Sequence, residues 1–371
     1  MSESSFQDIK NWLNQLPGAS KTLTTPSILP SPPSTSGYHH KRRASMASTQ
    51  HSCPSKRHRI ADDRTITPTR DVLNQLRLAN PPVICGPLSS SPMPESARTL
   101  RKLLTDGFGH NIIPRGLESR IRAFDSISAE DIPGTAYFDS NTMSDAALDK
   151  IWHDLKRIYV VVPILNSSIQ GWELLQLISV QSQQIDPSLI PRFKNAIGKI
   201  KADYALSFTC RDPSVQDFYD QISLGGHGYQ ISQTKDAFTK RVLLFSGVEV
   251  RSDDGGKKEA LAQLAIWLSA GLEKTQQMRE QVKGEGDDLA DWALPNIGLI
   301  VIGHDWYAYL AYKVGSEVHV AGPISAIISD TRTIYGILKV RDLIKRVAEY
   351  ATQIYWPWIR DEILHTLASQ A

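Results

Sequence analysis

A mixed α/β fold, a sheet covered by helices, is predicted from three features of the sequence. Two segments, ADYALSFT (202–209) and RVLLFSGVEVR (241–251), alternate side chains with the period of a strand. A helical period follows the second directly, from Lys257 to about Gln276. Two further strand-like stretches, GLIVIG (298–303) and WYAYLAYKV (306–314), precede a last helical period at Thr333–Ile354. Helices, strands, helix, strands and helix in that order make an α/β or α+β fold on a mixed sheet.

Upstream of these, Leu148, Ile151, Trp152, Leu155 and Ile158 predict an amphipathic helix over Met143–Val161, opening at Ser144 or Asp145. Trp172, Leu175 and Ile178 predict another over 167–182. Within the 202–209 strand, Asp203 falls on the more polar face of a half-buried element. A loop follows it and ends in GGHG (225–228), which is no phosphate loop, since no strand leads into it and no Lys-Ser/Thr closes it. In the 241–251 strand, Glu249 and Arg251 share a face with Gly247. In the next helix, Leu261, Leu264, Ala265, Leu268 and Leu272 form the buried stripe, while Glu259, Gln263 and Trp267 share another face.

The chain has 371 residues and a formal charge of +2, which conceals a partition. Residues 1–94 hold eleven of the 41 Lys/Arg and five of the 39 Asp/Glu, a net +6, so the remainder carries −4. A mildly acidic body meets nucleic acid through a local basic patch or a metal rather than through its overall field. Pro, Ser and Thr crowd the first ninety-odd residues. The expected organisation is therefore a disordered arm over 1–95 and one globular domain over 96–371. Three scattered cysteines suggest neither a disulfide framework nor a zinc cluster, and no leader or spanning segment is readable, so a location inside the cell and away from membranes is expected.

Within the arm, Phe6, Ile9, Trp12, Leu13 and Leu16 recur at helical spacing, as a docking helix or as a fraying turn. Lys41-Arg42-Arg43 and Lys56-Arg57-His58-Arg59, twelve residues apart, resemble a bipartite nuclear import signal; a solvated charge run is the plainer alternative. The expected residence is the nucleus, with an import receptor as partner. Ser45, after Arg42-Arg43-Ala44, resembles a basophilic kinase site whose phosphate would neutralise part of the first cluster. Asp71 could cap a short helix through Leu78, and PPVICGPLSSSPMP reads as a second linker.

Asp203 on one strand, Glu249-x-Arg251 on the next and Gln263 on the helix after it form a pattern with a chemical purpose. Two carboxylates on adjacent strands can hold Mg²⁺ through hard oxygens, and a basic residue two positions on can stabilise developing negative charge on a phosphodiester. Taken alone, Glu249 and Arg251 read more simply as a same-face ion pair on a solvated sheet edge, worth ~0–1 kcal/mol. His304-Asp305 resembles a metal or triad fragment, yet neighbours on a strand face apart, so a turn or capping role for Asp305 is preferred. Asp253-Asp254 is expected to cap the following helix.

The series Lys201-Ala-Asp203-Tyr-Ala-Leu, Gly247-Val-Glu249-Val-Arg251, Gly255-Gly256, Glu259-Ala-Leu-Ala-Gln263-Leu-Ala-Ile-Trp267, IVIGHDWYAYLA and a C-terminal helix resembles the fungal group of PD-(D/E)XK nuclease-like proteins. The resemblance covers roughly residues 96–365. It implies a restriction-endonuclease-like fold, a four-stranded mixed sheet flanked by helices with Mg²⁺ at the strand ends. It also implies Asp203 and Glu249 as metal ligands, Arg251 at the catalytic lysine's position and Gln263 as support. The sequence departs from that pattern in two places. Arg251 stays protonated and cannot accept a proton. Upstream, Ser168-Ile-Gln-Gly-Trp172 lacks the acid that active members place before a helix tryptophan, and Glu173 follows it instead. The expectations are Mg²⁺-dependent hydrolysis of DNA or, alternatively, an inactive nuclease fold that binds nucleic acid or a nuclear protein. The oligomeric state is not legible.

Overall fold

The computed structural model describes residues 69–90, 92–157, 161–192, 202–224, 230–283 and 293–369. The Phe6–Leu16 segment, both basic clusters, Ser45 and GGHG lie outside the described residues.

In chain order the elements used below are helix α1 (Thr69–Arg77), strand β1 (Val83–Gly86), α2 (Glu95–Thr105), α3 (Asp145–Arg157), α4 (Val161–Ser168), β2 (Leu175–Ser179), β3 (Tyr204–Phe208) and α5 (Pro213–Leu224). They continue with β4 (Gly247–Arg251), α6 (Lys257–Lys283), β5 (Asn296–Ile302), β6 (Asp305–Val314), β7 (Glu317–Ala321) and α7 (Ile334–Tyr350). The sheet runs β1-β7-β6-β5-β4-β3-β2, and the short strand Ser329–Asp330 pairs with the start of β6. Pairing is antiparallel except at β1–β7 and at the central β4–β5 pair, so the sheet is mixed, as expected. It is wider than the four strands anticipated.

Several expectations need correction. Residues 83–86 are no linker: β1 pairs in register with Val318–Ala321, and the folded body therefore extends N-terminal to residue 95. The 167–182 helix does not form, because α4 stops at Ser168, Gly171 turns the chain at φ +94°, and Leu175–Ser179 pair with β3. Spacings of three and four among Trp172, Leu175 and Ile178 mimicked a helix where the chain is a strand. β3 is buried on both faces rather than half-buried. Part of the loop after it is helix α5, which Asp212 opens by accepting from the Ser214 and Val215 N–H groups. The last helix ends at Tyr350 and continues through wide π turns at Ala351–Tyr355 and Arg360–Leu364. Pro357 accounts for the first of these, since it lacks an N–H and its ring crowds the preceding turn.

The 241–251 strand is also shorter than its alternation suggested. Tyr204 pairs with Val248, whereas Ser207 bridges to Leu244, so three steps on one strand face four on the other. One residue is extra, which is a β-bulge at Ser246. Its polar groups are satisfied within the fold: the Ser246 hydroxyl accepts the Leu206 N–H at 3.1 Å, and its carbonyl accepts the Trp267 indole N–H at 3.1 Å.

Helix α6 lies close against the sheet where two glycines pair across β4 and β5, Gly247 with Gly298. A Cβ at Gly247 would sit 2.6 Å from Trp267 Cδ1, and one at Gly298 2.7 Å from Leu268 Cδ1. Side chains at i and i+2 of a strand share a face. Glu249 and Arg251 therefore lie on the face that α6 covers, near that helix's first turn.

Candidate active site

One rung beyond the Tyr204–Val248 pair, Asp203 stands opposite Glu249, and the main chain holds it there. The Asp203 N–H donates to the Val248 carbonyl at 3.0 Å, its carbonyl accepts the Val180 N–H at 2.9 Å, and its Oδ2 accepts the Val250 N–H at 2.7 Å. The aspartate side chain thus takes a place in the ladder at the end of β3.

Glu249 is only 2 % exposed. Burial, followed by repulsion from Asp203, pushes its carboxyl up to about 8, against the opposing pull of Arg251. Arg251 Nη2 lies 2.8 Å from Glu249 Oε1 and 3.6 Å from Glu259 Oε1. The first contact is an ion pair off the hydrogen-bonding line: Glu249 Oε2, Arg251 Nε and Arg251 Nη2 are all buried without a hydrogen-bond partner among the described residues. Leaving such atoms unsatisfied costs about 1–3 kcal/mol each, more when charged. A buried acceptor beside buried donors suits a cation next to an anion.

Gln263 does not reach the two carboxylates; its amide donates to Glu259 Oε1 at 3.4 Å. The structure thus brings Asp203, Glu249 and Arg251 together and sets Gln263 one step behind Glu259, which sequence reasoning had not assigned to the site. Glu173 cannot replace the missing upstream acid. The Thr209 N–H bonds to the Leu174 carbonyl and Leu175 pairs with Phe208, which puts Glu173 roughly 20 Å along the strands from Asp203. Among the described residues no group of three or more His, Cys, Asp or Glu gathers to hold a metal. Two hard carboxylates remain, and they fit Mg²⁺, which commonly takes one or two carboxylates and completes its shell with water and substrate phosphate.

Nearby, His304 Nδ1 lies 2.8 Å from the Thr331 hydroxyl while Asp305 pairs with Arg332, so those two neighbours serve different contacts. Asp254 accepts from the Ser252 hydroxyl at 2.5 Å. Asp253 packs on Gly303, which turns β5 into β6 at φ +55° and where a Cβ would lie 2.5 Å from Asp253 Cγ. Gly303→Ala is accordingly expected to lower stability by about 1–3 kcal/mol through crowding added to backbone strain. At Gly315, with φ +59° and open space around it, the same change should cost only the strain, about 1 kcal/mol. Urea midpoints of the two variants check the difference.

A mixed sheet flanked by helices, with an aspartate and a Glu-x-Arg glutamate facing one another across adjacent strands, defines a restriction-endonuclease-like protein. The family model of the PD-(D/E)XK nuclease superfamily matches residues 155–356, more than half of the chain, and the chain belongs to that superfamily. Comparison with curated proteins finds no match. No helix among the described residues is long and apolar enough to cross a membrane.

Proposed function

We propose that the chain hydrolyses phosphodiester bonds in DNA with Mg²⁺ held between Asp203 and Glu249. The observation that carries this reading is the buried, unpartnered Oε2 of Glu249 opposite Asp203, beside the equally unpartnered Nε of Arg251. When bound, the ion supplies Lewis-acid polarisation of the phosphodiester and a more acidic water. Asp203 is oriented by the Val250 N–H, and Glu249 is set by strand β4 under α6. Arg251 donates to a non-bridging phosphate oxygen and stabilises the charge that develops on it; a guanidinium does not take up the proton. Gln263 restrains Glu259, which in turn holds the far side of Arg251.

A second reading is favoured by one specific observation, the pairing of Arg251 with both Glu249 and Glu259. With Arg251 engaged there and no group of three or more His, Cys, Asp or Glu gathered to hold a metal among the described residues, the same fold would bind nucleic acid or a nuclear protein without cutting. The basic clusters Lys41-Arg42-Arg43 and Lys56-Arg57-His58-Arg59 support a nuclear location under either reading, with Ser45 phosphorylation weakening import.

Plasmid DNA incubated with the full chain and Mg²⁺ or Mn²⁺ separates the two. Hydrolysis should appear with the wild type and fall at least about a hundredfold in Asp203→Ala and Glu249→Ala, the scale on which charge-stabilising groups act. Retained DNA binding without metal-dependent cutting would establish the binding module instead.

A further inference from the structure

Lys257, the first residue of α6, is not used by the site as described. Its Nζ lies 3.4 Å from the centroid of the Tyr307 ring, and no carboxylate among the described residues comes within 4.0 Å of it as an ion-pair partner. The acid that acts on it most, Asp305, is engaged by Arg332.

Sheet register places this ammonium group relative to the metal ligands. Glu249 pairs with Ile300 across β4–β5, and Ile300 pairs with Tyr307 across β5–β6. Residues directly paired across a sheet point to the same side, so Glu249 and Tyr307 share a face two strand spacings apart, about 10 Å. That is the face α6 covers, and Lys257 is the residue that opens the helix there. Arg251, two residues along β4 from Glu249, is already engaged by Glu249 and Glu259, whereas Lys257 lies against a ring face and feels Asp305 without forming an ion pair with it.

We propose that Lys257, steadied by the Tyr307 ring, binds a phosphate of the DNA strand adjacent to the one that Arg251 contacts beside Asp203 and Glu249. The assignment rests on the nucleic-acid reading above and names the residue that sets the strand's path over the sheet. A lysine suits this contact because its compact charge on a flexible stem can leave the ring and follow a moving phosphate.

The test is binding of a labelled DNA duplex by the full chain across a salt series, with Ca²⁺ replacing Mg²⁺. Lys257→Ala should weaken binding roughly tenfold at low salt, the scale of a charged hydrogen bond. It should also reduce the slope of log K against log salt by about 0.9, the share of one phosphate contact. Lys257→Arg should restore the slope. Lys258→Ala, which removes an exposed charge one residue away, should leave it near the wild-type value. An unchanged slope in Lys257→Ala, or an equal loss in Lys258→Ala, overturns the assignment while the nucleic-acid reading stands. A wild-type chain that binds no DNA overturns both.

Discussion

Glu249→Gln is expected to make the metal-free protein more stable at pH 8, by on the order of 2–5 kcal/mol, while removing its response to Mg²⁺. The sign follows from the carboxyl's position. Its folded value of about 8 stands above the ordinary 4.5, because burial and Asp203 oppose ionisation more strongly than Arg251 favours it. Below pH 4.5 the group is protonated in both states, and its contribution to stability is fully present. Between 4.5 and about 8 the unfolded chain has released its proton and the folded chain has not, so stability falls steadily with rising pH. A neutral isostere abolishes that fall. Thermal unfolding of both proteins across pH 5–9 in chelator checks this: the curves should meet near pH 5 and separate towards pH 8. Mg²⁺ at pH 8 should raise the wild-type midpoint and leave the variant's unmoved, since an ion that binds only the folded state stabilises it by mass action. A wild-type curve flat across this range would remove the basis for a strained carboxylate.

Trp267→Ala is expected to cost about 3–5 kcal/mol, a large share of the stability of an ordinary domain. The indole is fully buried and fills the space above Gly247, and its N–H satisfies the carbonyl at the bulge. Alanine would leave both a cavity and an unpaired Ser246 carbonyl, immediately before the strand that carries Glu249. Trp267→Phe keeps most of the volume and loses the hydrogen bond, and should cost about 1–2 kcal/mol. Urea midpoints give both values. Equal losses in the two variants would mean that the hydrogen bond, not the volume, dominates.

The strands and helix that build the site were legible because their patterns are unambiguous. Gly247–Arg251, Asn296–Ile302 and Asp305–Val314 alternate or run apolar, and α6 has a clear apolar stripe. Asp203 and Glu249 could be picked out only by their order, an aspartate strand, a Glu-x-Arg strand and a helix carrying Gln263; their burial was not legible, since each read alone as a residue on a polar face. What failed was local ambiguity. Leu175–Ser179 carried apolar residues at spacings that suit a helix equally well, and only the positive φ at Gly171 and the partner β3 decide for a strand. β1 was hidden by its flanking prolines and β7 by its shortness, so the width of the sheet went unseen. Lys257 and Tyr307 could not be joined to the site, because fifty residues separate them in sequence and only the register of β4, β5 and β6 aligns them. The role of Glu259 was missed for the same reason: nothing in its spacing says that it reaches Arg251.

Calorimetric titration of Mn²⁺ into the full chain tests most directly whether Asp203 and Glu249 form a metal centre. Binding by the wild type is expected with release of about one proton at pH 7, because Glu249 must ionise to accept the ion, and with little release at pH 9. That binding should be lost in Asp203→Asn/Glu249→Gln. Equal binding by the wild type and the double variant, or binding with no proton release at pH 7, would contradict it.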